Sequence, residues 1–145
     1  MNTTGFKIVL DTNIFIAIIG KQSPFRWIFD KIIDGSLVLC ISNEILLEYR
    51  EILERKTNEA VANNIVNFLM IHPYVSKIEI FYRFKLISTD EDDNKFVDCA
   101  IASNAQFLVS NDRHFDLLKH LDFPQVNIVT LTEFEKLLLD NNTVG

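Results

Sequence analysis

Several acids in this sequence sit where packing alone asks for none. Asp11 closes the apolar run Ile8-Val9-Leu10 and is followed by Thr12-Asn13; Asp112 follows Phe107-Leu108-Val109-Ser110-Asn111. Short apolar runs stopped by turn-forming residues read as strands buried on both faces, so both aspartates are expected at strand carboxyl ends. In an open parallel sheet ligands bind in the crevice beyond those ends, where the strand order reverses. Taken singly, each aspartate reads equally well as a helix N-cap.

Glu48 belongs to a helix opened by Ser42. Of Glu44, Glu48, Glu51 and Glu54, it lies nearest the apolar side formed by Ile45, Tyr49, Ile52 and Leu53. A glutamate turned toward a core needs a partner, because an unpaired buried charge is costly. The plain alternative is a boundary residue paired with Arg50 or Arg55. Asp98 stands in Phe96-Val97-Asp98-Cys99-Ala100-Ile101-Ala102, a helix apolar almost all round and hence expected to be buried. A carboxylate there must be paired or bind a metal. Asp93, five residues earlier, is expected near the N-cap, as a cap or as a further ligand. Asp90, Glu91 and Asp92 read as a solvated acidic turn.

Carboxylates converging on one crevice repel each other unless their pKa values rise or a cation joins them. An oxygen-only donor set selects hard ions, Mg2+ or Mn2+, over zinc. Such ions can activate a water and stabilise a leaving oxygen in phosphodiester hydrolysis. Before any family is considered, the residues point to a metal-dependent phosphoryl-transfer hydrolase.

These acids need an alternating α/β scaffold, and the chain supplies one. Strands are expected at Phe6–Leu10, Leu37–Ile41, Ser76–Phe81 (toward an edge), Phe107–Val109 and Val126–Val129. The first helix ends at Gly20. The second opens with Ser23 as cap and Pro24 at its first position and stops at Asp34-Gly35. The third follows Ser42 to a break at Lys56–Asn58, and the fourth spans Glu59–Ile71 before His72-Pro73. A helix is expected over Asn94–Asn104, a short one from Arg113, and a last one over Thr132–Leu139 capped by Thr130 or Thr132. Arg83–Thr89 reads as loop or extended chain, and Asn141–Gly145 as a frayed tail. Strands alternating with helices argue for a parallel sheet covered on both faces. With no repeat or linker, residues 1–145 read as a single domain.

The formal net charge of −6 argues against a simple basic nucleic-acid-binding surface unless divalent metal neutralises part of the acidic site. Cys40 and Cys99 make neither a disulfide framework nor a zinc motif. No apolar run is long enough to span a membrane and no signal peptide is visible, so the expected compartment is the cytoplasm. There is no Gly-rich phosphate loop, and His72, His114 and His120 form no metal-spaced pair. His114 is close enough to Asp112 to touch a substrate phosphate, but reads first as a surface residue. Lys7, Lys21, Arg50, Lys95 and Arg113 read first as solvated charges, and beyond that as contacts to an RNA backbone. Trp27 and the phenylalanines read as core rather than as base-stacking platforms. A receiver domain would need an aspartate ending the third strand and a late lysine after a strand, and neither is found.

Four motifs in order resemble the PIN domain family over nearly the whole chain. Val9-Leu10-Asp11-Thr12-Asn13 resembles its opening signature, Ser42 followed by Glu48 its second, Asp98-Cys99-Ala100-Ile101-Ala102 its third and Leu108-Val109-Ser110-Asn111-Asp112-Arg113-His114-Phe115 its fourth. Asp92-Asp93-Asn94-Lys95-Phe96 resembles the branch of VapC-like toxin components of toxin–antitoxin pairs. The resemblance implies a three-layer α/β/α fold with a five-stranded parallel sheet in order 3-2-1-4-5. It implies a Mg2+- or Mn2+-dependent endoribonuclease whose metal-site acids are Asp11, Glu48, Asp112 and either Asp93 or Asp98. Asn13 would orient substrate, and Ser42 would fix the Glu48 helix. The implied partners are an RNA substrate, a cognate antitoxin protein and a second copy of the chain, for which the helix Pro24–Ile33 offers a face. Asn111 departs from the branch, which usually has glycine there. The alternative is a non-catalytic PIN-like module that binds RNA or protein.

Overall fold

The computed structural model describes the backbone of residues 5–87 and 91–144, with side chains for 5–87 and 92–140. A five-stranded, all-parallel sheet runs in the order β3-β2-β1-β4-β5. Its strands are β1 (Phe6–Leu10), β2 (Leu37–Ile41), β3 (Val75–Lys77), β4 (Phe107–Val109) and β5 (Ile128–Val129). The helices are α1 (Thr12–Ile19), α2 (Arg26–Ile33), α3 (Asn43–Lys56), α4 (Glu59–Ile71), α5 (Asn94–Ser103) and α6 (Leu131–Val144). Single 3-10 segments cover Glu91–Asp93 and Arg113–His120.

The central strand takes its place because of its composition. Ile8, Val9 and Leu10 are all fully buried, which requires cover on both faces of the sheet. β1 pairs with β2 through Phe6↔Leu37 and Ile8↔Leu39, and with β4 through Ile8↔Phe107 and Leu10↔Val109. The order of strands therefore reverses between β1 and β4, and Asp11 and Asp112 follow those two strands. Tyr49 locks α3 against β1: its hydroxyl donates to the Leu10 carbonyl at 2.5 Å and its ring stacks on Phe15 with centroids 4.2 Å apart.

The expected order and pairing hold, while several boundaries shift. α2 starts at Arg26 rather than Pro24, because the Ser23 hydroxyl accepts the Phe25 N–H at 3.0 Å and closes a turn ahead of the helix. Gly35 ends that segment at φ +88°, where a side chain would run into the Tyr74 ring. β3 and β5 are shorter than expected, as flanking strands with one partner each. α6 begins after Thr130, whose hydroxyl accepts the Glu133 N–H while the Glu133 carboxylate accepts the Thr130 N–H, and its backbone continues to Val144 rather than ending at Leu139. The expected acidic turn at Asp90 and the last residue, Gly145, lie outside the described residues, as do the side chains of 141–144 in the expected frayed tail. No helix among the described residues is long and apolar enough to cross a membrane.

Candidate active site

Asp11 is held at the end of β1 by its own N–H, which donates to the Val109 carbonyl of β4 at 3.1 Å. Its carboxylate accepts the Ser110 hydroxyl at 2.8 Å, and the same hydroxyl oxygen accepts the Asp112 N–H at 3.0 Å. One buried serine thus fixes both strand-end aspartates relative to each other. Burial pushes the Asp11 carboxyl above its ordinary value of 3.8; the Asp112 and Glu48 charges push the same way, against the Ser110 hydroxyl and the Thr12 N–H. Asp11, Asn13, Asn111, Asp112 and Leu131 line a common cavity of about 330 Å³. Asn13 presents an exposed amide there from the first turn of α1. Asn111 has a local reason to be present: its side-chain oxygen accepts the Leu131 N–H at 3.0 Å, tying the loop before Asp112 to the start of α6. It has no positive φ, so glycine is not required at this position.

Glu48 arrives from α3, whose N-terminus is fixed by Ser42 accepting the Ile45 N–H at 3.3 Å. One oxygen of Glu48 accepts the Thr12 hydroxyl, which brings it beside Asp11. The other accepts Lys95 Nζ at 2.8 Å. The partner is therefore a lysine from α5, not Arg50 or Arg55. Lys95 itself is not a solvated charge: its side chain is 13 % exposed, and Nζ also donates to the Asp92 carbonyl at 2.6 Å.

Asp93 and Asp98 go to different surroundings. Asp93 meets the fourth motif, with Oδ2 3.1 Å from His114 Nδ1, while Asp112 Oδ1 lies 3.3 Å from the same nitrogen. Ligand atoms of Asp93, Asp112 and His114 lie within 4.8 Å of one another. Asp98, 2 % exposed, instead accepts the Phe84 N–H at 3.1 Å and lies in a cavity with Glu44, Arg83, Lys85 and Lys95. Burial raises its pKa; the Phe84 N–H and the Arg83 charge oppose this. The helical wheel rightly marked Asp98 as buried and in need of a partner, and that partner is a backbone amide.

His114 is exposed, as expected, and its ring also meets Asp93 and Asp112, whereas the roles of Ser110 and Lys95 have no counterpart among the sequence expectations. The Asp-x-His spacing of Asp112 and His114 is local, but the bonds from Ser110 to Asp11, from Lys95 to Glu48 and from His114 to Asp93 join segments far apart in the chain. As a donor set, Asp93, Asp112 and His114 offer two carboxylates and one imidazole nitrogen, with Asp11 beside Asp112. That chemistry fits a divalent cation.

Residues 7–114 match the PIN domain family. No curated protein matches the chain. Among solved structures, VapBC2 from Rickettsia felis, bound to a DNA fragment from its promoter, is similar at TM-score 0.60 and 17 % identity, over 86 % of this chain and 98 % of that one. DNA-bound VapBC from Salmonella typhimurium is similar at TM-score 0.55 and 18 % identity, over 86 % and 98 %. Mycobacterium tuberculosis VapC20, a toxin that cleaves the sarcin-ricin loop, is similar at TM-score 0.57 and 13 % identity, over 79 % and 97 %.

Proposed function

The chain belongs to the PIN domain family, and on that premise we propose that it is a Mg2+- or Mn2+-dependent endoribonuclease, the toxin of a toxin–antitoxin pair. The observation that carries this reading is that Asp112 belongs to two groupings at once. It shares a cavity with Asp11, the two following the neighbouring strands β1 and β4, and a cluster with Asp93 from the start of α5 and His114. The similarity in fold to VapC and VapBC structures supports a nucleic-acid substrate and a protein antitoxin as partners. A second copy of the chain is a further partner in this reading.

Asp11, Asp93 and Asp112 would hold the ion, with Glu48 beside Asp11 and His114 completing or bracing the carboxylates. When bound, the metal lowers the pKa of a water and neutralises charge on the scissile phosphate. The chain's own residues do the rest. Ser110 ties the Asp11 carboxylate to the backbone of Asp112. Asn13 offers an amide to a phosphate or ribose oxygen at the cavity mouth. Lys95 pairs with Glu48 and fixes it beside Thr12 and Asp11. Asp98 anchors the segment around Phe84 and is not among the acids assigned to the metal.

The rival reading is a non-catalytic PIN-like binding module. It draws on the Lys95–Glu48 pair, which already neutralises one acid without metal. A cleavage assay separates the two: a long unstructured RNA with Mn2+ should be cut, EDTA should stop it, and Asp11→Asn should abolish cutting while keeping the fold. Equal cutting by Asp11→Asn, or none by wild type in Mg2+ or Mn2+, would contradict the nuclease reading.

A further inference from the structure

The chain after β3 reads Phe81-Tyr82-Arg83-Phe84-Lys85, an alternation of rings and cations. Phenylalanine was expected in the core, and Phe15, Phe96, Phe115 and Phe134 are there, but Phe81 is 90 % exposed and Tyr82 67 % exposed. The segment that holds them is pinned along its length. The Ile78 N–H donates to the Ile41 carbonyl at 2.7 Å, and Ile78 and Ile80 pack against the core. Arg83 binds Glu44 at 2.6 Å, at the start of α3. The Phe84 N–H donates to Asp98, and both backbone groups of Ile87 bond the Asn94 side chain at 2.9 Å. The Tyr82 ring packs edge-on against Phe84 with centroids 4.6 Å apart. Lys85 takes φ +53°, a left-handed conformation that lysine adopts at a cost. Two large rings are therefore held at the surface by a fixed backbone.

The position of this segment gives it a use. A cavity of about 220 Å³ beside it is lined by Glu44, Arg83, Lys85, Asp92, Lys95 and Asp98. Lys95 binds Glu48, and Glu48 takes the Thr12 hydroxyl next to Asp11. Exposed rings flanked by cations suit unpaired bases and their phosphates, since every base has a π-face and single strands leave it open. A cation follows each ring or ring pair, so the exposed rings form no continuous apolar run and carry charge suited to phosphates. We propose that Phe81 and Tyr82, with Arg83 and Lys85, form a stacking platform that receives single-stranded RNA and leads it toward Asp11 and Asp112. This rests on the nuclease reading above for the direction of the strand, but not for the binding itself. Arg83 and Lys95 are already paired with glutamates, so affinity comes chiefly from stacking and depends only weakly on salt, with a log–log slope of about −1.

The test is fluorescence anisotropy with a labelled unstructured 12-nucleotide RNA, in an Asp11→Asn background that prevents cutting. The parent should bind it, and more tightly than the same sequence as a duplex. Phe81→Ala/Tyr82→Ala should weaken single-strand binding at least about tenfold. Its melting temperature should stay within about 2 °C of the parent, as both rings are exposed, and Phe81→Trp/Tyr82→Phe should restore binding. No binding by the parent, or binding unchanged within about twofold in the double alanine variant, overturns the platform. So does a double alanine variant that keeps RNA binding but loses self-association in sedimentation, which would make the face a protein contact. Cleavage with Mn2+ in the Asp11-containing chain is measured separately. RNA binding that needs the rings without any cleavage would sink the nuclease reading and leave the platform standing; cleavage with ring-independent binding would do the reverse.

Discussion

The Ser110 hydroxyl lies 2.8 Å from Asp11 Oδ2, a single buried hydrogen bond that joins the carboxyl ends of two neighbouring parallel strands. It is a bond to an ionisable group with little water nearby, so its loss is felt in two ways. Ser110→Ala should destabilise the fold by about 2 kcal/mol and raise the Asp11 pKa further, because the hydroxyl opposes the effect of burial. Urea unfolding measures the first. A shift of the acidic limb of the pH–rate profile to higher pH measures the second, and an unchanged limb would show that Asp11 does not depend on this bond.

Asp11 itself should cost stability at neutral pH in the absence of metal. Its carboxyl is raised above 3.8 in the folded chain, first by burial and then by Asp112 and Glu48. Between 3.8 and the raised value the folded state holds more protons than the unfolded state, so stability falls as pH rises through that window. Asp11→Asn, which has no charge to desolvate, should therefore melt higher than wild type in EDTA at pH 7. The difference should disappear as the pH drops below about 3.8. A lower melting temperature for Asp11→Asn at pH 7 would contradict this sign.

Lys95 and Glu48 form a largely shielded pair at 2.8 Å between α5 and α3. Lys95→Met leaves the Glu48 charge beside Asp11 without its cation and should cost about 1–3 kcal/mol in metal-free protein. Adding Mn2+ should recover part of that loss. Combining the change with Glu48→Gln should give a coupling of about 1 kcal/mol; strictly additive unfolding energies would show that the pair contributes nothing.

Asp98 should matter to the segment after β3. Asp98→Ala removes the acceptor for the Phe84 N–H, and amide exchange over residues 83–87 should quicken by about tenfold or more. Asp98→Asn keeps an acceptor oxygen and should leave that exchange near wild type. Quickened exchange in both variants would point to the charge, through Arg83, instead of the hydrogen bond.

What could be read from sequence follows how local each signal is. The run Ile8–Leu10 stopped by Asp11, the Ser42 cap and the tilt of Glu48 toward the apolar side of α3 are written within a turn or two of chain, and each is found as expected. Strand order came from the family resemblance and holds in full. The choice between Asp93 and Asp98 could not come from periodicity. A helical wheel tells that Asp98 is buried, but its partner is the Phe84 amide from a segment with no regular structure. Lys95, Ser110 and His114 escaped for the same reason, since each acquires its meaning from a partner on another element. Phe81 and Tyr82 escaped because hydrophobicity alone assigns rings to a core.

The central claim is a carboxylate metal site built from Asp11, Asp93 and Asp112, and Mn2+ calorimetry on wild type, Asp93→Asn, Asp112→Asn and Asp98→Asn tests it most directly. The account predicts binding by wild type and Asp98→Asn, and loss of at least about tenfold in affinity for Asp93→Asn and Asp112→Asn. No binding by wild type at millimolar Mn2+, with or without RNA present, would contradict it, as would binding that survives Asp93→Asn and is lost in Asp98→Asn.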